Sequence, residues 1–229
     1  MTFKGIIFDL FGTLTDNFSP KDYNNVLLKM SEVLAISYNA FWNHSGMVYH
    51  LRETGKFNSM EDSLEFICCD LKIDVTRLQI KRAAQLHYDY VAQLLQPEMK
   101  VLDTLNDLRN LGLKIGLSSN CGPDVPALWE SSPLSPLIDS TVFSCQLGVR
   151  KPDPEMYNTV STMLGIPPHL CIYVGDGSSE ELNGATQVGM YSVLKCVDLK
   201  NAYDSNRSGV QTWVGPRITD VKDIFKLFD

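Results

Sequence analysis

Near the start of the chain an apolar run ends in a carboxylate and a turn: Gly5-Ile6-Ile7-Phe8-Asp9-Leu10-Phe11-Gly12-Thr13-Leu14-Thr15-Asp16. The length of this run is typical of a buried strand in a parallel sheet that is covered on both faces. Open sheets of that kind bind their ligands at the carboxyl ends of the strands. Asp9 is therefore a candidate site residue, although on this segment alone a second interpretation stands, in which Asp9 only caps the turn.

Composition indicates a globular protein with an acidic balance. The 229 residues suffice for one substantial core, or for a core domain with a smaller insertion. The residues are 44% hydrophobic and 21% charged, and the formal net charge is -7. Because Lys and Arg are scattered rather than clustered, nucleic acid and anionic membranes are disfavoured as main partners.

The amino terminus and the cysteines bear on the cellular compartment. Met1 to Lys4 run directly into the first predicted strand, and no apolar stretch approaches the roughly 20 residues that a membrane span needs. We therefore expect a soluble, cytoplasmic protein. Reduced thiols are predicted because six dispersed cysteines lack the spacing of a metal site: Cys68, Cys69, Cys121, Cys145, Cys171 and Cys196.

A helical pattern occupies residues 16–96, which is too long for a loop inside a compact domain. Apolar residues at helical spacing predict a first helix around Tyr23 to Leu34. Gly46 and Gly55 are expected to separate helices. Further helices are predicted at 39–52, 61–71 and 76–96, so the insertion is expected to be a small all-helical unit.

From Pro97 onward, predicted helices and strands alternate. Gly112 and Gly189 are expected to end helices, and Asp153 with Pro154 to begin one. A surface loop is predicted at 200–209, a terminal helix at 221–228, and strands at 113–117, 142–144, 171–175 and 191–194. This alternation predicts an α/β fold with a doubly wound, Rossmann-like parallel sheet, formed by residues 1–15 and 97–229 around the insertion.

Polar side chains stand out at four positions in the chain. Each of them follows a predicted apolar strand or lies at the start of a predicted helix. Two carboxylates from neighbouring strands can hold Mg²⁺, while a hydroxyl, a backbone amide and a lysine can bind phosphate oxygens. An aspartate beside such a site can attack phosphorus. Each residue also has a plain interpretation as a strand end, a solvated charge or a helix cap. The candidates are Asp9, Ser119, Asn120, Lys151, Asp176 and Glu181.

Four motifs carry a resemblance to a known family. They read FDLFGTLTD around Asp9, LSSN up to Asn120, VRKPDPEMY around Lys151 and YVGDGSSEELNGA around Asp176. In this order and spacing they resemble the haloacid dehalogenase (HAD) superfamily of hydrolases, and the resemblance covers the whole chain. The helical insertion, residues 16–96, is similar to the C1 cap of that family, which closes over the site and selects substrates.

The resemblance implies a role for each matching residue. Asp9 would be the nucleophile and a metal ligand, and Lys151 a catalytic residue that pairs with Asp9 and the phosphoryl group. Mg²⁺ would be held by Asp9, the carbonyl of Phe11, Asp176 and, directly or through water, Glu181. The phosphoryl group would be bound by Gly12, Thr13, Ser119, Asn120 and Lys151.

Phe11 departs from the family pattern. Phosphatases of the family usually carry a second Asp there, which protonates the leaving oxygen and then activates water. A benzyl side chain cannot transfer protons, so a contribution of ~10²–10⁴-fold is missing unless another group or water supplies it. An aromatic residue at this position resembles the 2-haloacid dehalogenase branch, but Gly175 and Asp176 with Glu181 favour a metal and hence phosphate.

The sequence therefore predicts a Mg²⁺-dependent phosphatase that acts on a small phosphorylated metabolite through an aspartyl-phosphate at Asp9, as a monomer or homodimer. Two alternatives remain. One is a metal-independent 2-haloacid dehalogenase-like enzyme with an ester at Asp9, and the other is a catalytically weak HAD-like protein that binds a ligand or partner. A serine hydrolase and a dinucleotide-binding protein are disfavoured, because Gly-x-Ser-x-Gly and GxGxxG motifs are absent from the sequence.

Overall fold

The computed structural model describes residues 3–199 and 207–228. Within that part of the chain, a parallel sheet has the strand order β3-β2-β1-β4-β5-β6. The strands are β1 Gly5–Phe8, β2 Lys114–Ser119, β3 Ser140–Phe143, β4 Cys171–Gly175, β5 Tyr191–Lys195 and β6 Arg217–Ile218. The predicted doubly wound α/β fold is confirmed, with β1 at the centre of the sheet between β2 and β4.

Helices cover both faces of the sheet and fill the insertion. The α-helices are α1 Pro20–Val33, α2 Tyr38–Glu53, α3 Met60–Asp70, α4 Arg77–Leu94, α5 Met99–Asn110, α6 Asp124–Leu128, α7 Ser144–Leu147, α8 Pro154–Leu164, α9 Glu181–Gln187 and α10 Ser208–Gln211. Short 3₁₀ helices lie at Trp129–Ser131, Ser135–Leu137, Pro168–Leu170, Ser178–Glu180 and Val221–Leu227.

Alternation along β1 divides the core between the two faces of the sheet. Ile6 and Phe8 pack on the face that α5 and the last 3₁₀ helix cover, together with Leu105. Ile7 packs on the opposite face, against Tyr157 of α8. Successive side chains of a strand point to opposite faces, so a fully apolar strand is buried on both sides.

Helices α1 to α4 pack around a separate hydrophobic cluster. Each of the four begins at a hydroxyl side chain that accepts a hydrogen bond from a backbone N–H of the first turn, and these N-caps are Ser19, Ser37, Ser59 and Thr76. Met30, Phe41, Leu64 and Ala83 supply buried side chains from successive helices. The helical pattern predicted for the insertion is confirmed.

Some predicted boundaries are confirmed and others are wrong. Gly55, Gly112 and Gly189 follow helices with positive φ angles, as the sequence predicts. Gly46, however, lies inside α2 rather than between helices, because buried residues on both sides of it hold the helix together. Ser144 is not the end of β3 but the first residue of α7.

The carboxyl-terminal part also differs from the prediction. The predicted loop at 200–209 lies mostly outside the described residues, and its last two positions begin α10. The terminal helix, Val221–Leu227, is of the 3₁₀ type, and β6 is too short for a periodic pattern to reveal it. The six cysteines are free thiols, as predicted. Among the helices of the described residues, none has the length and apolarity that crossing a bilayer requires.

Candidate active site

Asp9 lies immediately beyond β1, at the centre of the carboxyl edge of the sheet. Its backbone N–H donates to the carbonyl of Val174 in β4 at 2.9 Å, so the neighbouring strand β4 helps to fix its position. The chain then turns sharply, and the Thr13 hydroxyl donates to Asp9 Oδ2 at 3.1 Å. Gly12 has a φ of +82°, and a Cβ at this position would collide with the carboxylate of Asp176. The turn therefore requires glycine both for its backbone conformation and for space.

Lys151 reaches the same point from the loop before α8. Its ammonium group is almost fully buried and lies 2.5 Å from Asp9 Oδ1 and 2.6 Å from Glu181 Oε2. The side-chain amide of Asn120 holds the backbone of Lys151, accepting from its N–H at 2.8 Å and donating to its carbonyl at 3.3 Å. Asn120 thus joins the end of β2 to the loop that carries the lysine.

Three buried carboxylates meet beside Lys151. Asp9, Asp176 and Glu181 each place one oxygen within 4.8 Å of the others. Glu181, at the start of α9, is already engaged, because Oε2 also accepts from the hydroxyl of Tyr173 at 2.7 Å and Oε1 accepts from the N–H of Gly177 at 2.9 Å. Asp176 Oδ1 accepts from the backbone N–H of Ser178 at 3.1 Å. The fold therefore brings together four of the residues predicted from the sequence: Asp9, Lys151, Asp176 and Glu181.

Burial and repulsion between neighbouring carboxylates raise the pKa values of acidic groups in this cluster. Burial, followed by the charge of Asp9, raises the pKa of Glu181 to about 8. Burial also raises the pKa of Asp9, against the attraction of Lys151. For Lys151, burial works to lower the pKa, but the charges of Asp9 and Glu181 outweigh it, and the pKa of the ammonium rises. Lys151 therefore stays charged, while ionisation of all three carboxylates together is unfavourable unless a further cation binds.

Arg207 supplies a second cation that the sequence does not indicate. Its Nη1 lies 2.6 Å from Asp176 Oδ2 and donates to the carbonyl oxygen of Asp176 at 3.0 Å. Three carboxylates thus face two cations among the described residues. Mg²⁺ prefers oxygen ligands and usually binds through one or two carboxylates. The set of carboxylate oxygens fits a divalent cation, which would also offset the repulsion that raises the pKa of Glu181.

A cavity of about 440 Å³ opens from this cluster toward the helical insertion. Asp9, Phe11 and Lys151 line its inner end, and aromatic residues of the insertion and of the segment leading to it line its walls. The ring of Phe11 packs edge-on against Phe18, with the ring centroids 4.9 Å apart. The aromatic side chains around the cavity are Phe11, Phe18, Tyr23, Trp42 and Tyr49.

Two pairs of polar side chains join the insertion to segments that follow strands of the sheet. Arg150 Nη1 lies 2.6 Å from Glu53 Oε2 of α2, and His87 Nε2 of α4 lies 3.4 Å from Asp124 Oδ2. Burial works to raise the pKa of Asp124, but the interaction with His87 outweighs it and holds the pKa of that carboxyl below its ordinary value. Neither pair follows a strand-end pattern, so the sequence did not reveal them.

The remaining predicted residues lie along the same edge. Ser119 is buried at the end of β2, the strand beside β1. Phe11 is half-buried and contacts the cavity, and no described residue other than the groups above adds a carboxylate to the cluster. Tyr173 was missed because a tyrosine inside an apolar strand resembles an ordinary core residue. Its hydroxyl nevertheless lies 3.2 Å from Lys151 Nζ.

Comparison with known proteins identifies the class. The haloacid dehalogenase-like hydrolase family matches residues 3–189. The chain therefore belongs to the haloacid dehalogenase-like hydrolase family, and the protein is an enzyme of the hydrolase class. This confirms the superfamily that the motifs predict.

The relatives include a phosphatase and a dehalogenase. A glyceraldehyde 3-phosphate phosphatase of Methanopyrus kandleri is 30% identical over 50% of this chain, and the match spans about half of that enzyme, 49% of its length. An (S)-2-haloacid dehalogenase of Pseudomonas sp. strain YL is 26% identical over 76% of this chain and 75% of its own.

A HAD family enzyme of Bacteroides thetaiotaomicron, solved in complex with magnesium and inorganic phosphate, has the same fold. Its TM-score is 0.65 at 18% identity, and the alignment covers 84% of this chain and 94% of the other.

Proposed function

We propose that the protein is a Mg²⁺-dependent phosphatase that acts on a small phosphorylated metabolite through Asp9. The observation that carries this proposal is the cluster of three buried carboxylates within 4.8 Å of one another, with Lys151 Nζ 2.5 Å from Asp9. Such a cluster suits a divalent cation and a doubly charged phosphoryl group together. Attack on a haloacid needs no such cluster of metal-binding carboxylates.

In this proposal the metal would be held by Asp9, the backbone carbonyl of Phe11 and Asp176. Glu181 would act directly or through water, and its hydrogen bonds to Lys151 and Tyr173 make it a positioning group as well. When bound, Mg²⁺ neutralises phosphoryl oxygens and lowers the cost of bringing a dianion to a carboxylate. The phosphoryl group itself would be bound by Gly12, Thr13, Ser119, Asn120 and Lys151.

The proposed reaction has two steps. An oxygen of Asp9 attacks phosphorus as the bond from phosphorus to the leaving oxygen breaks, which forms an aspartyl-phosphate and releases the leaving group as an alkoxide that takes a proton from solvent water. Water then attacks the phosphorus as the bond from phosphorus to the Asp9 oxygen breaks, so that inorganic phosphate leaves, the Asp9 carboxylate is regenerated and a proton passes to solvent. Lys151 balances the charge of the phosphoryl oxygens in both steps, since the charges of Asp9 and Glu181 raise its pKa and keep it protonated.

The helical insertion, residues 16–96, is proposed to act as a C1-type cap over a core of residues 1–15 and 97–229. The pairs Arg150–Glu53 and His87–Asp124 support a closed arrangement, because each joins the insertion to a loop of the sheet. Closure of this kind excludes water from the site and strengthens its electrostatic interactions.

A second candidate function rests on Phe11. With no proton donor at this position, Asp9 would attack carbon and a halide would leave without protonation, as in the 2-haloacid dehalogenase branch. Metal dependence separates the two candidates, because a dehalogenase of this kind does not need Mg²⁺.

The test is a panel of phosphate monoesters and 2-haloacids, assayed for released phosphate and halide with Mg²⁺ and with a chelator. We expect phosphate release that requires Mg²⁺ and is lost in Asp9→Asn. Asp107→Asn, a change at an exposed position of α5, is the matched control and keeps activity. Halide release that persists with the chelator would establish the dehalogenase instead. No product from either class would favour a binding protein.

A further inference from the structure

Arg207 brings a buried positive charge onto a residue that is proposed to bind the metal. Its Nη1 lies 2.6 Å from Asp176 Oδ2 and 3.0 Å from the backbone carbonyl oxygen of the same residue. Only 4% of the Arg207 side chain and 0% of the Asp176 side chain is exposed, so salt and water screen this pair weakly. The guanidinium therefore acts strongly on any other cation that approaches Asp176.

The two carboxylate oxygens of Asp176 differ in their surroundings. Oδ1 accepts a hydrogen bond from the backbone N–H of Ser178 at 3.1 Å, in the loop that follows β4. Oδ2 lies against Gly12, because a Cβ at Gly12 would collide with it. Gly12 belongs to the turn that also carries Asp9 and the carbonyl of Phe11. Oδ2 is thus the oxygen of Asp176 that faces the other proposed metal ligands on this turn.

Oδ2 of Asp176 retains bonding capacity for a metal, although it is buried. Its contact with Arg207 is an ion pair that lacks the alignment of a hydrogen bond, and within residues 3–199 and 207–228 this oxygen accepts no hydrogen bond. Buried polar oxygens are nearly always paired, so such an exception is explained by water or an ion. Mg²⁺ prefers carboxylate oxygens. Arg207 and Mg²⁺ would therefore share one oxygen as their point of contact.

The segment that carries Arg207 is packed against the loop that follows β4. Helix α10 begins at the next residue, and Val210 of this helix lies so close to Gly177 that a Cβ at Gly177 would collide with it. On the other side, Arg217 of β6 donates to the backbone carbonyl of Trp213, just beyond α10, at 2.7 Å. The fold therefore holds Arg207 beside the carboxylate, in addition to the ion pair itself.

Charge decides how Arg207 affects the binding of a metal. A guanidinium is charged at every pH at which proteins are folded, and Mg²⁺ carries two charges, so the two cations repel each other when both contact one carboxylate. Lys151 adds to this repulsion from the side of Asp9, where its Nζ lies 2.5 Å from Oδ1. The three carboxylates attract the metal, but these side chains already offset part of that attraction.

We propose that Arg207 opposes the binding of Mg²⁺ at Asp176 and keeps the affinity low, so that occupancy of the site follows the free Mg²⁺ concentration. This rests on the phosphatase function proposed above and adds a regulation of the same site. Removal of the Arg207 charge then gives tighter metal binding. A purely structural role gives the opposite result, because an Asp176 that is no longer held in place would bind Mg²⁺ more weakly.

The experiment measures Kd for Mg²⁺ by isothermal titration calorimetry, with no substrate present. Arg207→Gln removes the charge but keeps a donor for the backbone carbonyl of Asp176, whereas Arg207→Lys keeps the charge. We expect Kd to fall at least about fivefold in Arg207→Gln and to stay within about twofold of wild type in Arg207→Lys. Arg217→Gln is the control and keeps the wild-type Kd, because it makes the same change at an exposed position that holds the same segment but contacts no carboxylate of the cluster.

A second variant and a second measurement guard against a folding defect. Arg207→Met keeps the length of the side chain and its apolar contacts, and it replaces Arg207→Gln in the titration if the glutamine variant does not fold. The Mg²⁺ concentration at the midpoint of the rise in melting temperature reports the same affinity. We expect this midpoint to fall by the same factor as Kd.

The outcomes separate this regulation from the function on which it rests. If wild type binds Mg²⁺ and a folded, uncharged variant has an equal or higher Kd, opposition by Arg207 is overturned and the phosphatase function stands. Equal gains in Arg207→Gln and Arg207→Lys would also overturn it, because charge would not be the cause. If neither wild type nor an uncharged variant binds Mg²⁺, the metal-dependent phosphatase is rejected, and this regulation with it.

Discussion

Phe11 sets the chemical character of the candidate site. Its ring contacts the cavity that Asp9 enters and packs edge-on against Phe18. An aromatic ring beside the nucleophile excludes water and fixes the wall of the cavity, but it cannot donate a proton to a leaving oxygen. If Asp9 attacks phosphorus, the rate then depends on how well the leaving group departs as an anion.

We expect Phe11→Asp to accelerate turnover of esters with basic leaving groups more than of those with acidic ones. A general acid helps most where the leaving oxygen is basic, so an alkyl phosphate should gain about 10²-fold in kcat/KM and nitrophenyl phosphate far less. Phe11→Leu is the control, since it changes the wall without adding a carboxyl group. Equal gains for both esters, or the same gains in Phe11→Leu, would contradict this view of Phe11.

Sequence alone predicts those site residues that follow strands. Asp9, Ser119 and Asp176 come directly after or at the end of apolar runs, so the topology of a parallel sheet brings them to one edge. Arg207 has no such signal, because it lies in a polar segment that returns to Asp176 only through tertiary structure. The His87–Asp124 pair joins two helices, and nothing in the local sequence of either residue indicates the other.

Among the helices, tertiary packing decides whether a glycine ends a helix, as the local sequence predicts, or lies inside it. Gly46 stays helical because it is exposed on α2 while Ser45 and Val48 beside it are buried, so a cost of roughly 1 kcal/mol for glycine is outweighed. Gly55 ends the same helix with a φ of +76°, and its Cα faces the carbonyl of Cys145 in α7. The strands were predictable because they are continuous apolar runs, whereas the two-residue β6 depends on its pairing with β5.

We expect Gly55→Ala to destabilise the protein more than Gly112→Ala. Both glycines have positive φ angles, +76° and +81°, so both variants incur a backbone strain of about 1–2 kcal/mol. Only at Gly55 would the new Cβ collide with a neighbour, the carbonyl of Cys145, while the space around Gly112 is open. That collision adds about 1–3 kcal/mol.

Urea unfolding of the two variants measures this difference directly. The comparison isolates the contact between α2 and α7, because the strain common to both variants cancels. Equal losses of unfolding free energy would show that α2 and α7 separate without cost, which would contradict close packing of the insertion against the loops of the sheet.

For the whole molecule, the balance of charge at the sheet edge links stability to the binding of a cation. Asp9, Asp176 and Glu181 are buried together, and Lys151 and Arg207 do not neutralise all three. Burial without full neutralisation is why the pKa of Glu181 rises to about 8. A divalent cation that binds only the folded protein would remove this repulsion and shift the unfolding equilibrium.

We therefore expect millimolar Mg²⁺ to raise the melting temperature. At about 100 times Kd the gain is about 2.7 kcal/mol, and for a chain of this size it corresponds to a rise of roughly 5–10 °C. Asp176→Asn should lose the rise, whereas Asp107→Asn on the surface of α5 should retain it. A wild-type melting curve that Mg²⁺ leaves unchanged, measured by calorimetry, would count against the metal site.

The position of the insertion has a consequence for the entropy of assembly. Ile7 of β1 pairs with Gly116 of β2, although the four helices of the insertion and α5 separate them in the chain. Tyr90, near the end of α4, contacts both Phe18 and Tyr23 at the start of α1, with ring centroids 5.7 and 5.8 Å apart. Once the helices are folded, the two ends of the insertion therefore lie side by side. The folded insertion then acts as a short connection between β1 and β2. Pairing of the two strands, which places Asp9 at the sheet edge, therefore costs less chain entropy than it would with a flexible loop of the same number of residues.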